Sequence, residues 1–432
     1  GCNTTPFPAD YFKGYIALIS RGTCGFAEKV TNATTAGADA VIVYNNRSGP
    51  AIVMGALEPT TIPSVMVDQT DGLAAVAYLT THADDDVVVE ITDTFVRRVN
   101  DDWADIIDSQ TSRGPYLLHD ILEPEVAAPG TNIMAAYNTP GATAPFGQVD
   151  PGDDVEIDLM SGTSMASPHV AGSALLLKDL FPTWTPLEIK SALMMTADTS
   201  TMLKDDGATP ADVFDVGNGR IDLRKAALTG LVMNETKANF VAADPAEDGD
   251  VKTLNIPSYQ NSQCIGDCSF TRTFKSVADV DVDYTAVVDM PAGVVLTVTP
   301  STFTIPAGGT QAVLFEINVD GAAMGTWQLG YVSFETTDFF TTGEAISDVR
   351  LTLAVMPDPG NLPALVEKEV YRDAGGVVLE DLYSIEITEM TFEQAGLTEA
   401  SYYDFALDVD PTNGDPYDVL DDIWYTSFTV PA

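Results

Sequence analysis

Between Gly162 and Gly172 the chain reads Gly-Thr-Ser-Met-Ala-Ser-Pro-His-Val-Ala-Gly. Small and apolar residues in this order open a helix behind a glycine and leave Ser164 at its mouth. A serine in that position points its own N–H at incoming negative charge, and the helix dipole adds to the field that stabilises a tetrahedral oxyanion. Those are the needs of an acyl-transfer nucleophile. A serine that merely caps a buried helix would not demand this particular company. The other common hydrolase pattern, Gly-x-Ser-x-Gly, is not met, because Ala166 stands where the second glycine belongs. That argues against an α/β-hydrolase.

The run closely resembles the nucleophile motif of the subtilisin-like serine peptidases (subtilases), in which the serine of Gly-Thr-Ser-Met-Ala attacks the scissile carbonyl. The resemblance implies that Ser164 is the nucleophile and that its backbone N–H is one oxyanion donor. A serine hydroxyl is a weak nucleophile until a neighbouring base takes its proton, and that base must be oriented by a third group. The chain holds three histidines, His82, His119 and His169. His169 follows Ser164 by five residues, about 500° of helical rotation, or about 140° around the axis, so its ring faces away from the hydroxyl. It reads as a packing histidine of the motif. His82 falls in the acidic stretch Thr81-His82-Ala83-Asp84, a solvated loop. His119 is the one remaining candidate, but its neighbour Asp120 points the other way along the chain and would orient it badly. The family's Asp-Ser/Thr-Gly, His-Gly-Thr and oxyanion-asparagine motifs do not occur. In subtilases with an inserted protease-associated (PA) domain, all three precede the insert, so the resemblance implies that the triad Asp and His lie upstream of Gly1. The chain is read as an N-terminally truncated fragment, inactive by itself.

The resemblance extends to the domain plan. Lys13 to Ile19, Arg21-Gly22, Phe26 to Lys29, Ala36-Gly37-Ala38 and Ile62 to Val67 look like a PA domain, expected over residues 1–95. A strand over Tyr15 to Ile19, a helix over Gly25 to Ala36 and a strand over Ala40 to Tyr44 make it a compact α/β unit. Ser112-Arg113-Gly114-Pro115 and Glu123 to Gly130 resemble the subtilase segment before the serine, and Val213 to Asp222 its closing turn, with Lys225-Ala226-Ala227 on a last short helix. These assign 96–230 to the C-terminal part of the catalytic domain, an α/β core with a parallel sheet. Inside it, Thr185-Pro186-Leu187-Glu188 spells a capping box with proline at N1, opening a helix to about Ala197. From 231 to 355, valine and threonine alternate with polar residues in Tyr284 to Val288, Val294 to Val298 and Gln311 to Ile317, strands of a β-sandwich. Pro300-Ser301 to Gly309 resembles the fibronectin type III-like domain that follows many subtilases. Residues 356–432 are expected to be a linker and a partial β-rich module. The fold class is therefore multidomain, α/β followed by all-β.

Composition limits the partners. With 64 acidic against 20 basic residues the formal charge is −44, which opposes nucleic acid and anionic membranes. A dense carboxylate surface suits salt water, where repulsion is screened. No apolar run reaches the roughly 18 residues needed to cross a bilayer, so membrane insertion is not expected. Protein or peptide substrates are. Four cysteines allow three pairings; in a secreted protein nearest neighbours are expected to join, Cys2 with Cys24 and Cys264 with Cys268, although the last two also have the spacing that begins a zinc site. Asn3, Asn32, Asn46 and Asn234 head Asn-x-Ser/Thr sequons, of use only in a eukaryotic host. No cofactor is required by the chemistry. Calcium is the candidate ion for Asp408, Asp410 and Asp415 with Asn413, set against a plain solvated acidic turn. Two functions follow: a secreted serine endopeptidase working through an acyl-enzyme on Ser164, or a non-catalytic protein that binds partners with its PA and sandwich domains on a subtilase scaffold.

Overall fold

Aliphatic runs of five residues between glycine-bearing turns give the first strands. In the computed structural model, which describes residues 1–54, 61–83, 85–92, 100–137, 156–360, 365–371 and 423–429, β1 (Ile16–Ser20), β2 (Ala40–Tyr44) and β3 (Ser64–Val67) form a parallel sheet in that order. The helix α1 (Phe26–Thr35) makes the crossover from β1 to β2, and α2 (Gln69–Thr81) follows β3. Ala17, Ile19, Val30, Ala33, Val41 and Val43 fill the space between sheet and helix. Helix α2 is absent from the sequence reading. Its apolar residues fall all round the helix, leaving little periodicity to see, yet Asp68 caps it by accepting the Asp71 amide at 2.8 Å, and it ends at His82. A disulfide joins Cys2 to Cys24.

The middle segment is helical. A pair of strands, β4 (Ile133–Tyr137) and β5 (Glu156–Met160), leads into α3 (Thr163–Leu180), followed by α4 (Pro186–Met195), α5 (Val213–Val216) and α6 (Leu223–Ala227). The capping box is present in full: Glu188 N donates to Thr185 Oγ1 at 3.1 Å, and Thr185 N to Glu188 Oε2 at 2.7 Å. Leu177, Trp184, Ile189, Leu193, Ala226 and Val232 bind α3, α4 and α6 together. The parallel sheet expected of residues 96–230 is not found among the described residues. β4 and β5 run antiparallel, and parallel pairing is limited to isolated bridges such as Ala127 to Arg220. A parallel sheet needs several strands joined by crossovers, and among its described residues this segment contributes two strands, consecutive in the chain.

At Leu231 the chain enters a sandwich. The strands are β6 (Leu231–Val232), β7 (Ser258–Cys264), β8 (Asp267–Ser276), β9 (Val282–Asp289), β10 (Val295–Thr299), β11 (Thr302–Ile305), β12 (Thr310–Asn318), β13 (Gln328–Glu335) and β14 (Val349–Pro357), with the short helix α7 (Lys237–Ala242) between the first two. One sheet has the order β10-β12-β8-β6 and the other β11-β9-β13-β14-β7. Period-two alternation turns Phe270, Phe274, Phe315 and Phe334 inward, where Phe270 stacks on Phe315 at 4.6 Å. The second disulfide, Cys264 to Cys268, closes the turn between β7 and β8. Two further strands, β15 (Leu365–Tyr371) and β16 (Ile423–Thr429), pair antiparallel. Asp408, Asp410, Asn413 and Asp415 lie outside the described residues.

Candidate active site

Ser164 is the second residue of α3 and is exposed. Gly162 precedes the helix at φ +153, a backbone region that disfavours any side chain. Its carbonyl accepts the Met165 amide at 3.0 Å, and its own N–H donates to Gly130 O at 2.8 Å, so the Pro129-Gly130 loop is laced to the helix mouth. A Cβ at Gly130 would stand 2.8 Å from Gly162 O and 3.3 Å from the Ala166 side chain. Neither the Thr163 nor the Ser164 amide has a hydrogen-bond partner among the described residues. These are two of the orphan donors every helix start leaves, here on two exposed residues, and the Ser164 hydroxyl likewise has no partner among the described residues. Pro168, inside the helix, has no N–H to give the Ser164 carbonyl.

The histidines are placed elsewhere. His169 Nδ1 lies 2.8 Å from Met165 O, one turn back on its own helix. His82 stacks on Tyr78 at 4.0 Å at the end of α2. The exposed His119 belongs to a loop whose Tyr116 carbonyl accepts a hydrogen bond from Gln260 of β7 at 3.2 Å. None of the three contacts Ser164 among the described residues. Asp120 does not orient His119: its carboxylate accepts the Ser262 amide at 2.9 Å.

One flank of α3 borders a cleft of about 600 Å³, lined by Thr163, Ala166, Ser167 and Val170 and, opposite, by Ile107 and Pro129 among others. Ser164 is not in its wall. It heads a different stripe, with Pro168, Ala171 and Leu175 at helical spacing. Leu175, Leu176 and Leu180 are 71%, 60% and 59% exposed, and Ile157 on β5 is 70% exposed. A helix that is apolar on several sides is built to be covered on several sides.

Two anchors to the sandwich carry no local sequence signal. Lys275 of β8 donates to Glu188 Oε1 at 2.7 Å, so the residue that caps α4 is also a cross-domain ion pair. Burial alone would raise the Glu188 pKa, but the hydrogen bonds from Lys275 and the Thr185 amide hold it below the usual value. Arg350 of β14 donates to the carbonyls of Ala197, at 3.0 Å, and Asn218, and lies over the Tyr331 ring at 4.6 Å. Both pairings join residues far apart in the chain, and no local pattern announces them.

Residues 1–75 match the PA domain and residues 253–352 the fibronectin type-III domain. With the serine-bearing segment between them, they define the class: a relative of the subtilisin-like proteases that carries a PA and a fibronectin type-III domain. Subtilisin-like protease SBT1.7 of Arabidopsis thaliana is 30% identical over 329 residues, 69% of this chain and 42% of that protein. SBT5.4 of the same plant is 29% identical over 333 residues, 71% of this chain and 42% of its own length. SBT4.3, also from Arabidopsis thaliana, reaches 38% identity over 162 residues, 37% of this chain and 22% of that protein. The chain thus spans about two fifths of the length of the first two relatives.

Proposed function

We propose that the chain is the nucleophile-bearing part of a secreted serine endopeptidase that cleaves protein or peptide substrates through an acyl-enzyme on Ser164. The observation that carries this reading is an exposed serine whose N–H is unpaired among the described residues, at the start of α3, in a chain similar to subtilisin-like proteases. In the reaction, Ser164 Oγ attacks the scissile carbonyl, its proton passes to a base, and the oxyanion forms against the Ser164 N–H. The base, its orienting carboxylate and a second oxyanion donor come from a segment preceding Gly1. That segment would also cover Leu175, Leu176, Leu180 and Ile157, whose exposure otherwise has no account. The two disulfides favour an oxidising compartment, and the charge of −44 a saline one.

A second reading, a non-catalytic scaffold that binds partners through its PA and sandwich domains, is favoured by the lack of a histidine near Ser164. One experiment separates the two. The 1–432 chain is expected to hydrolyse fluorescent casein no faster than background, and the protein extended upstream to do so with Ser164 intact. An upstream segment without Asp and His motifs, and no turnover in the extended protein, would leave the scaffold reading standing. Turnover by residues 1–432 that vanishes in His119→Ala would instead make His119 the base.

A further inference from the structure

Away from Ser164, the first domain buries an ammonium group. Lys29 of α1 is only 5% exposed, and among the described residues it makes no ion pair. Its Nζ reaches Cys2 Sγ at 3.9 Å, so the hydrogen-bond acceptor of a buried cation is a disulfide sulfur. A sulfur in a disulfide is a weak acceptor, a poor reason to bury a lysine. A thiolate is a strong one. Next to Lys29, a Glu28 carboxylate oxygen lies within 4.8 Å of both bridge sulfurs. Cys24 is partly exposed and sits one residue before Gly25, the N-cap of α1, whereas Cys2 is buried. Cys24 is therefore the less buried half of the bridge, and Cys2 is held against a cation.

We propose that Cys2–Cys24 is a thiol-exchangeable disulfide, opened by dithiol reductants, with Lys29 stabilising the departing Cys2 thiolate. A thiolate of the dithiol attacks Cys24 Sγ, the Cys2–Cys24 bond breaks, and its electron pair leaves on Cys2 Sγ beside the ammonium. The second sulfur of the dithiol then attacks the mixed disulfide and releases Cys24. The dithiol ends as its own disulfide, the bridge has gained two electrons, and the two protons lost by the dithiol end on the protein sulfurs by way of water and Glu28. Leaving-group thiols of lower pKa depart faster, and a neighbouring cation lowers that pKa. Opening the bridge leaves the N-terminal loop tied to α1 only by weaker links, such as Asn32 Nδ2 donating to Gly1 O at 2.9 Å. Cys264–Cys268 is the internal control: Cys264 is fully buried, and among the described residues no lysine or arginine donates to either of its sulfurs.

The test uses the native 432-residue chain in millimolar dithiothreitol, with timed acid quench, alkylation and peptide mass spectrometry. Cys2–Cys24 is expected to open about tenfold faster than Cys264–Cys268. Lys29→Met should slow the first bridge about tenfold and leave the second unchanged, while Lys29→Arg keeps the rate within about threefold of wild type. Equal rates for the two wild-type bridges, or an unchanged rate in Lys29→Met, would overturn the proposal. Should Lys29→Met lose its near-UV circular dichroism, the wild-type comparison and Lys29→Arg decide: a tenfold loss in the folded arginine variant also overturns it.

Discussion

Gly130 and Gly162 set the backbone at the mouth of α3, because a Cβ at Gly130 would stand 2.8 Å from Gly162 O and Gly162 itself has φ +153. Gly130→Ala is expected to push the 129–131 loop off the helix mouth, costing about 1–3 kcal/mol and lowering activity of the extended protein well beyond the stability loss. Denaturant midpoints and kcat/KM measured together check this. Asp198 offers a pH signature. The Ser200 amide and hydroxyl hold its carboxyl at about 2, burial opposes them, and Lys225 adds to the lowering. A depressed folded pKa stabilises fully above the unfolded value and drains away as pH falls through the folded one. Wild type should therefore melt about 2–4 °C above Asp198→Asn at pH 6, with the gap closing near pH 2, as followed by calorimetry. The placing of Ser164 at the start of a helix is legible because the run that opens the helix is contiguous. The Lys29 contact with Cys2 is not, since burial of one lysine among many is decided by packing across 27 residues of chain.

At the scale of elements, the α4 capping box joins local and distant structure. Thr185→Ala removes one cap and should cost about 1 kcal/mol. Lys275→Met leaves the Glu188 carboxylate, 2% exposed, without its cation, and should cost more, about 2 kcal/mol after allowing for the half-exposed lysine. Urea midpoints of the two variants give the order, and a smaller loss in Lys275→Met would contradict it. Thr185-Pro-Leu-Glu announces the box in sequence because its two reciprocal hydrogen bonds lie within one turn. Lys275 lies 87 residues away and was silent. The sandwich strands were readable for a similar reason, since alternation is local, while the pairing of β14 with β7 in parallel is set by topology. The parallel sheet expected around Ser164 comes from resemblance to whole catalytic domains, whereas the described residues between 100 and 230 supply one antiparallel pair.

For the whole molecule, the charge of −44 predicts a melting temperature that rises with sodium chloride and levels off once the Debye length falls to about 3 Å near 1 M. A melting curve indifferent to salt would remove the argument for a saline setting. The exposed leucines of α3 set a second condition, because the helix that carries Ser164 leaves Leu175, Leu176 and Leu180 uncovered. Whether Ser164 is the nucleophile of a peptidase is answered by covalent trapping. The protein extended upstream of Gly1 should react with a fluorophosphonate probe, and peptide mass spectrometry should find the adduct on Ser164, with labelling abolished in Ser164→Ala. Casein turnover by the same preparation with no adduct on Ser164, or with the adduct on another serine, would contradict the account.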